Sequence, residues 1–224
     1  LTIFIGFRYE VGGDWEGYIM VYDRSQLQEF GWGRDPGYLL IQWMAEYFNW
    51  GIVGVNVVCA LIFSIGLAVF CRSLPRPLLA LSISIPYLVI VVAMGYTRQG
   101  VALGLAMIGL VALSRNQNKW FVFWVLLGVT MHKTAVLLLP IAALTATQNR
   151  TWTFIWLGVI SLGAYYIFLV EMVEVLFKNY VEAQSQSSGA AVRIAMSIIP
   201  GIIFLLFRNR FHFHPREKSL WTWF

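Results

Sequence analysis

The chain has 224 residues, 59% of them hydrophobic and only 12% charged, with a formal net charge of +5; soluble domains carry about 45–50% apolar and about 25% charged residues. The apolar residues come in long runs broken by short polar clusters, the pattern of helices that each need about 20 residues to cross a bilayer, which predicts an all-α polytopic integral membrane protein and excludes a water-soluble fold. The basic residues sit at the ends of the apolar runs and form no continuous face, so they read as topology signals and exclude a nucleic-acid surface.

Leu1–Phe7 reads as the end of a first membrane helix. The segment 8–50 is too polar to span and too aromatic for a solvated loop, and is expected to be an outer loop with interfacial helices. Within it, Asp35 followed by Pro36 has the form of an N-cap and first helical residue. Leu39, Leu40, Trp43 and Tyr47 then recur at helical spacing opposite Gln42, Glu46 and Asn49, which predicts an amphipathic helix. Tyr18, Tyr22 and Phe30 predict a shorter element of the same kind, serving either as a lipid anchor or as the roof of a cavity. A transmembrane bundle over about 52–207 follows, with crossings expected near 52–70, 78–95, 99–114, 120–131, 133–147, 152–170 and 194–207. A basic cytoplasmic loop at 208–218 and the start of a further helix at 219–224 complete a single membrane domain over 1–224. That domain reads as a fragment of a longer protein.

Alternate connections carry Arg72 and Arg76, then Arg115 and Lys119, then Arg150, then Arg208, Arg210, Arg216 and Lys218, with Glu217 as the sole acid among them. By the positive-inside rule these face the cytoplasm. The other set, which holds Asp14, Glu16, Asp23, Glu29, Asp35, Glu46, Glu171, Glu174 and Glu182 among mixed charges, faces away from it.

The candidate chemistry lies on that outer side, in clusters at Arg8 to Tyr18, Tyr96 to Gln99 and His132 to Thr134. Arg98 stands between two apolar runs, where an arginine costs about 2.5–3.5 kcal/mol at the bilayer centre and less near the interface. Its planar fork suits bidentate binding of a phosphate; the competing reading is a snorkelling arginine, or one paired with a carboxylate such as Asp14. Gln99 donates either to a ligand oxygen or to a neighbouring helix. His132 and Lys133 mark a short outer turn, in which the imidazole is either a structural group, a general base or a phosphate ligand. Asp14, in a Gly-Gly-Asp-Trp turn flanked by Arg8 and Tyr18, is either a positioned base or a capping or salt-bridged carboxylate. Arg193 opens a helix, as a second phosphate ligand or as a boundary arginine.

Phosphate-binding glycine loops, dinucleotide fingerprints, metalloprotease pairs and serine-hydrolase elbows do not occur in the sequence, and no carboxylates stand at metal-ligand spacing. No cofactor and no metal are expected. Cys59 and Cys71 read as small buried or lipid-facing residues.

The stretches FRYEVGGDWEGY, RDPGYLLIQWM, MGYTRQGVALGLAMIGLVAL, FWVLLGVTMHKTAVLLLP and NYVEAQSQSSGAAVRIAM, in this order, resemble the EpsG-like family of bacterial polysaccharide polymerases, the Wzy-type proteins of capsule and exopolysaccharide assembly. Where the family usually has serine two residues after the histidine, this chain has Thr134, which keeps the hydroxyl. The resemblance implies a multi-pass protein of the bacterial cytoplasmic membrane that joins oligosaccharide repeats carried on undecaprenyl pyrophosphate at the outer leaflet. It also implies membrane lipid, flippase and chain-length regulator proteins as partners. On that reading Asp14 or His132 serves the acceptor hydroxyl and Arg98 the pyrophosphate. Arg8, Tyr18, Gln99, Lys133, Thr134 and Arg193 assist in substrate binding. Two other readings compete: a membrane glycosyltransferase that uses polyprenyl-phosphate sugars, and a flippase for lipid-linked glycans, which would show repeat symmetry around a midplane site.

Overall fold

A computed structural model describes residues 1–12, 15–25, 35–139, 190–207 and 210, with isolated positions at 155, 158, 159, 162, 163 and 166. The chain divides into two compact units, Leu1–Leu139 and Pro140–Phe224. Among the described residues every regular element is helical.

In the first unit, α1 spans Thr2–Gly6, α2 Trp15–Ser25, α3 Pro36–Tyr47 and α4 Gly51–Ser73. An α5 of Pro77–Ser84 runs on as a π-helix over Ile85–Ala93; α6 spans Thr97–Ser114 and α7 Asn118–Met131. A 3-10 turn, Lys133–Leu138, follows. Pro86 is the second residue of the π stretch. A proline there removes one amide donor and crowds the carbonyl a turn back, so the ladder widens. Helices α4 and α6 are long and apolar enough to cross a membrane. The π-containing helix and α7 are shorter apolar segments. In the second unit α8, Ala190–Phe207, carries Pro200 in its interior; the crossing expected at 152–170 lies outside the described residues except at isolated positions, as does the part beyond Leu139 of the one expected at 133–147. The one expected at 133–147 begins as a 3-10 turn, not as an α-helix.

α6 is the centre of the first unit, packed on α4 and α7. Glycines make this possible. A Cβ placed on Gly66 would lie 2.0 Å from the Gly104 carbonyl oxygen, and one on Gly104 would lie 2.7 Å from Cα of Phe63. Backbones in such close approach gain packing and interhelical contacts, which drive helix association where lipid offers no hydrophobic contrast. Beside this seam Ile5, Ala60, Phe63, Leu67, Val89, Ala93 and Met107 form a buried cluster from α1, α4, the π-helix and α6.

The alternation of chain direction from α4 to α7 collects Arg72, Arg76, Arg115 and Lys119 at one end of the unit, all exposed. At the other end lie the start of α6, the end of α7 and α3. Trp43, Tyr47, Phe48 and Trp50 form a chain of ring contacts there, with centroids 4.9–5.8 Å apart, and each ring is more than half exposed. Exposed aromatic belts of this kind sit at membrane–water interfaces.

The register of α3 differs from expectation in one respect. Its exposed stripe is Leu40, Trp43, Met44 and Tyr47, while Tyr38, Ile41, Gln42 and Ala45 face inward. Gln42, expected on the solvent face, is 2% exposed. Periodicity finds the two faces of a helix, but an apolar face turned to lipid and one turned to a core read alike in sequence.

Candidate functional site at the aromatic end of the bundle

The site forms where the N-terminus of α6 meets α3, α2 and the segment after α1. Tyr96 precedes α6 in a non-helical conformation; Thr97 is buried and Arg98 half-exposed. Arg98 Nη1 donates a hydrogen bond to Asp35 Oδ2 at 3.0 Å, an ion pair in which the arginine side chain is 40% exposed and the aspartate 7%. The guanidinium lies over the rings of Tyr18, at 5.5 Å, and Tyr38, at 5.8 Å, from their centroids. These two rings are themselves 6.0 Å apart, so the guanidinium packs against a pair of adjoining rings. Burial pushes the Tyr38 phenol well above its ordinary range, with smaller contributions of both signs from neighbouring groups. It is therefore a neutral hydroxyl at physiological pH.

Arg8 is more deeply placed, at 6% exposure. One terminal nitrogen donates to the Ala93 carbonyl oxygen at 2.7 Å; the other donates to Asn56 Oδ1 at 3.3 Å and to Thr97 Oγ1. Burial holds its pKa below the ordinary arginine value, against opposing contributions led by Tyr18. The surrounding space, lined by Ile5, Asn56, Cys59, Phe63 and Val101 among others, is too narrow to seat a water molecule. Arg8 thus ties the segment after α1 to α4, the end of the π-helix and the residue before Arg98.

His132 ends α7 in an extended conformation, its amide donating to the Gly128 carbonyl. It stands at the same end as Arg98, since α7 leans on α3: a Cβ on Gly37 would lie 2.4 Å from Thr130 Oγ1 and 2.9 Å from Met131 Cε. His132 is half-buried, Lys133 buried, and Thr134 and Gln99 exposed. Arg8, Tyr18 and Arg98 are therefore brought together, and the His132 turn shares their end of the bundle. Asp14 lies outside the described residues. So does the side chain of Arg193, a residue of α8 in the second unit.

The roles of Asp35, Tyr38 and Asn56 emerge only from the structure. Asp35 does precede α3, but its side chain makes no capping hydrogen bond; the carboxylate serves Arg98 instead. Asn56 carried a usable signal, a lone amide deep in the apolar run of a spanning helix. Several buried polar atoms here have no partner among the described residues: Nε of Arg8 and of Arg98, the Tyr38 hydroxyl, Nδ2 of Asn56 and both amide atoms of Gln42.

An all-helical unit with two apolar helices of spanning length, and with two arginines seated among aromatic and amide groups at one end, has the make-up of a membrane protein. The chain belongs to the EpsG family, whose match runs over residues 1–224, the whole length. EpsG is a family of Wzy-like polysaccharide polymerases. No curated protein and no solved structure matches the chain.

Proposed function

We propose that this protein is a multi-pass enzyme of the bacterial cytoplasmic membrane that polymerises oligosaccharide repeat units carried on undecaprenyl pyrophosphate, working at the outer leaflet. Family membership supports the polymerase class. The positive-inside rule supports the orientation, since Arg72, Arg76, Arg115 and Lys119 gather at the end opposite Arg98.

The observation that carries the reading is Arg98, half-exposed at the aromatic end, paired with Asp35 and packed on the rings of Tyr18 and Tyr38. In the reaction an acceptor hydroxyl attacks the anomeric carbon of the donor glycan, the bond to the lipid diphosphate breaks, and the hydroxyl proton passes to a base. Negative charge grows on the departing diphosphate, where a fixed cation stabilises the transition state more than the ground state. Arg98 takes that role. Arg8, whose terminal nitrogens are committed to Ala93, Asn56 and Thr97, positions the start of α6 behind it. His132 or Asp14 serves the acceptor hydroxyl, with Gln99, Lys133 and Thr134 along the glycan and diphosphate.

The test is purified full-length protein given a defined lipid-linked repeat unit. A ladder of glycan lengths with equivalent release of polyprenyl diphosphate supports the proposal. Addition of single sugars, or movement of labelled substrate with no new glycosidic bond, refutes it.

A further inference from the structure

We infer that Asp35 is a built-in competitor for Arg98, and that the need to displace it gives the site its preference for a diphosphate over a monophosphate. The inference rests on the assignment of Arg98 to the lipid diphosphate. Asp35 occupies one edge of the guanidinium at 3.0 Å, while Nε on another edge is buried without a partner. The guanidinium also packs on the rings of Tyr18 and Tyr38, so a swing away from the carboxylate to meet a ligand would give up those contacts as well.

An incoming anion therefore has two courses. It shares the guanidinium with a carboxylate, at the cost of like-charge repulsion in a half-buried setting, or it takes the carboxylate's place. A monophosphate that replaces Asp35 exchanges one charge-assisted contact for another and gains little. A diphosphate brings a second phosphoryl group with its own charge, so one group can replace the carboxylate while the other meets the exposed part of the arginine side chain. The displaced carboxylate also has somewhere to go. Asp35 is the N-cap residue of α3, yet makes no capping bond, and the amides that follow Pro36 in that first turn donate well to a carboxylate.

The experiment measures affinities of full-length detergent-solubilised protein for farnesyl diphosphate and farnesyl monophosphate. Wild-type protein is compared with Asp35→Asn, Asp35→Ser and Arg98→Ala. Asn and Ser both cap helices, so each preserves the start of α3. Removal of the competing charge is expected to strengthen monophosphate binding by about tenfold, the size of one charge-assisted hydrogen bond, and to narrow the diphosphate preference by a similar factor. An unchanged ratio in folded variants, weaker binding of both ligands, or failure of both variants to fold would overturn the inference and make the pair a structural strut. Arg98→Ala separates the two levels. Retained diphosphate binding in that variant defeats the assignment of Arg98 itself, whereas lost binding with an unchanged ratio in the Asp35 variants defeats only the competitor.

Discussion

Asp35 and Arg98, 63 residues apart in sequence, meet at 3.0 Å, and this pair joins the N-terminus of α3 to that of the central helix. The pair is anisotropic: a planar cation bonded at one edge and faced by two aromatic rings. Lysine would keep the charge and lose both the fork and the stacking surface. Arg98→Lys is therefore expected to retain native helicity and melting behaviour yet to lower the polymerisation rate by about tenfold or more. Circular dichroism and glycan-ladder kinetics on the same preparation would check it.

Arg8 predicts the opposite balance. Its loss leaves the Ala93 carbonyl, Asn56 and Thr97 without their cationic donor in a space too narrow for water. Arg8→Met should cost about 2–4 kcal/mol of stability, through unsatisfied buried groups. A lower thermal midpoint in detergent is the expected result, with any loss of rate tracking loss of fold.

These two arginines also show what sequence could and could not tell. Both were picked out as polar residues against apolar runs, and the helices α3, α4, α6 and α7 lie close to where periodicity and the Asp-Pro start put them. Partners were another matter. Asp35 was legible as a helix start, which it is, but not as the carboxylate of Arg98, because a contact across 63 residues leaves no local pattern. The inward turn of Gln42 is hidden for a related reason: hydropathy does not distinguish an apolar face turned to lipid from one turned to the core. The π-helix after Pro86 was not anticipated, although a proline inside an apolar run was its available signal.

The glycine seam between α4 and α6 gives a stability test that is independent of function. Gly66→Ala would drive a methyl to within 2.0 Å of the Gly104 oxygen, and overpacking of this kind costs about 1–3 kcal/mol or more. Gly17 in α2 has nothing within 4 Å of a Cβ. Gly17→Ala should be neutral or stabilise by up to about 1 kcal/mol through helix propensity. Thermal unfolding of the two variants should move in opposite directions or, at the least, separate clearly.

Tyr38 supplies a pH dependence. Its folded pKa is raised above the unfolded value, which is about 10. Its contribution to stability is thus fully present below that unfolded value and is lost as pH rises toward the folded one, because the unfolded chain releases the proton first. Tyr38→Phe removes this loss. Relative to wild type, the variant should gain up to about 1.4 kcal/mol per pH unit above pH 10, read as a narrowing or reversal of the difference in thermal midpoints. A difference that stays constant from pH 8 to above pH 10 would contradict the burial of the phenol.

The central claim is that Arg98 stabilises a departing lipid diphosphate. The most direct measurement is the rate of diphosphate release and glycan elongation by reconstituted full-length Arg98→Ala, at an expression level and fold matched to wild type. Removal of one preorganised group facing the developing charge is expected to slow both by about 10²-fold or more. A folded, inserted Arg98→Ala variant that elongates glycan at near wild-type rate would contradict the account.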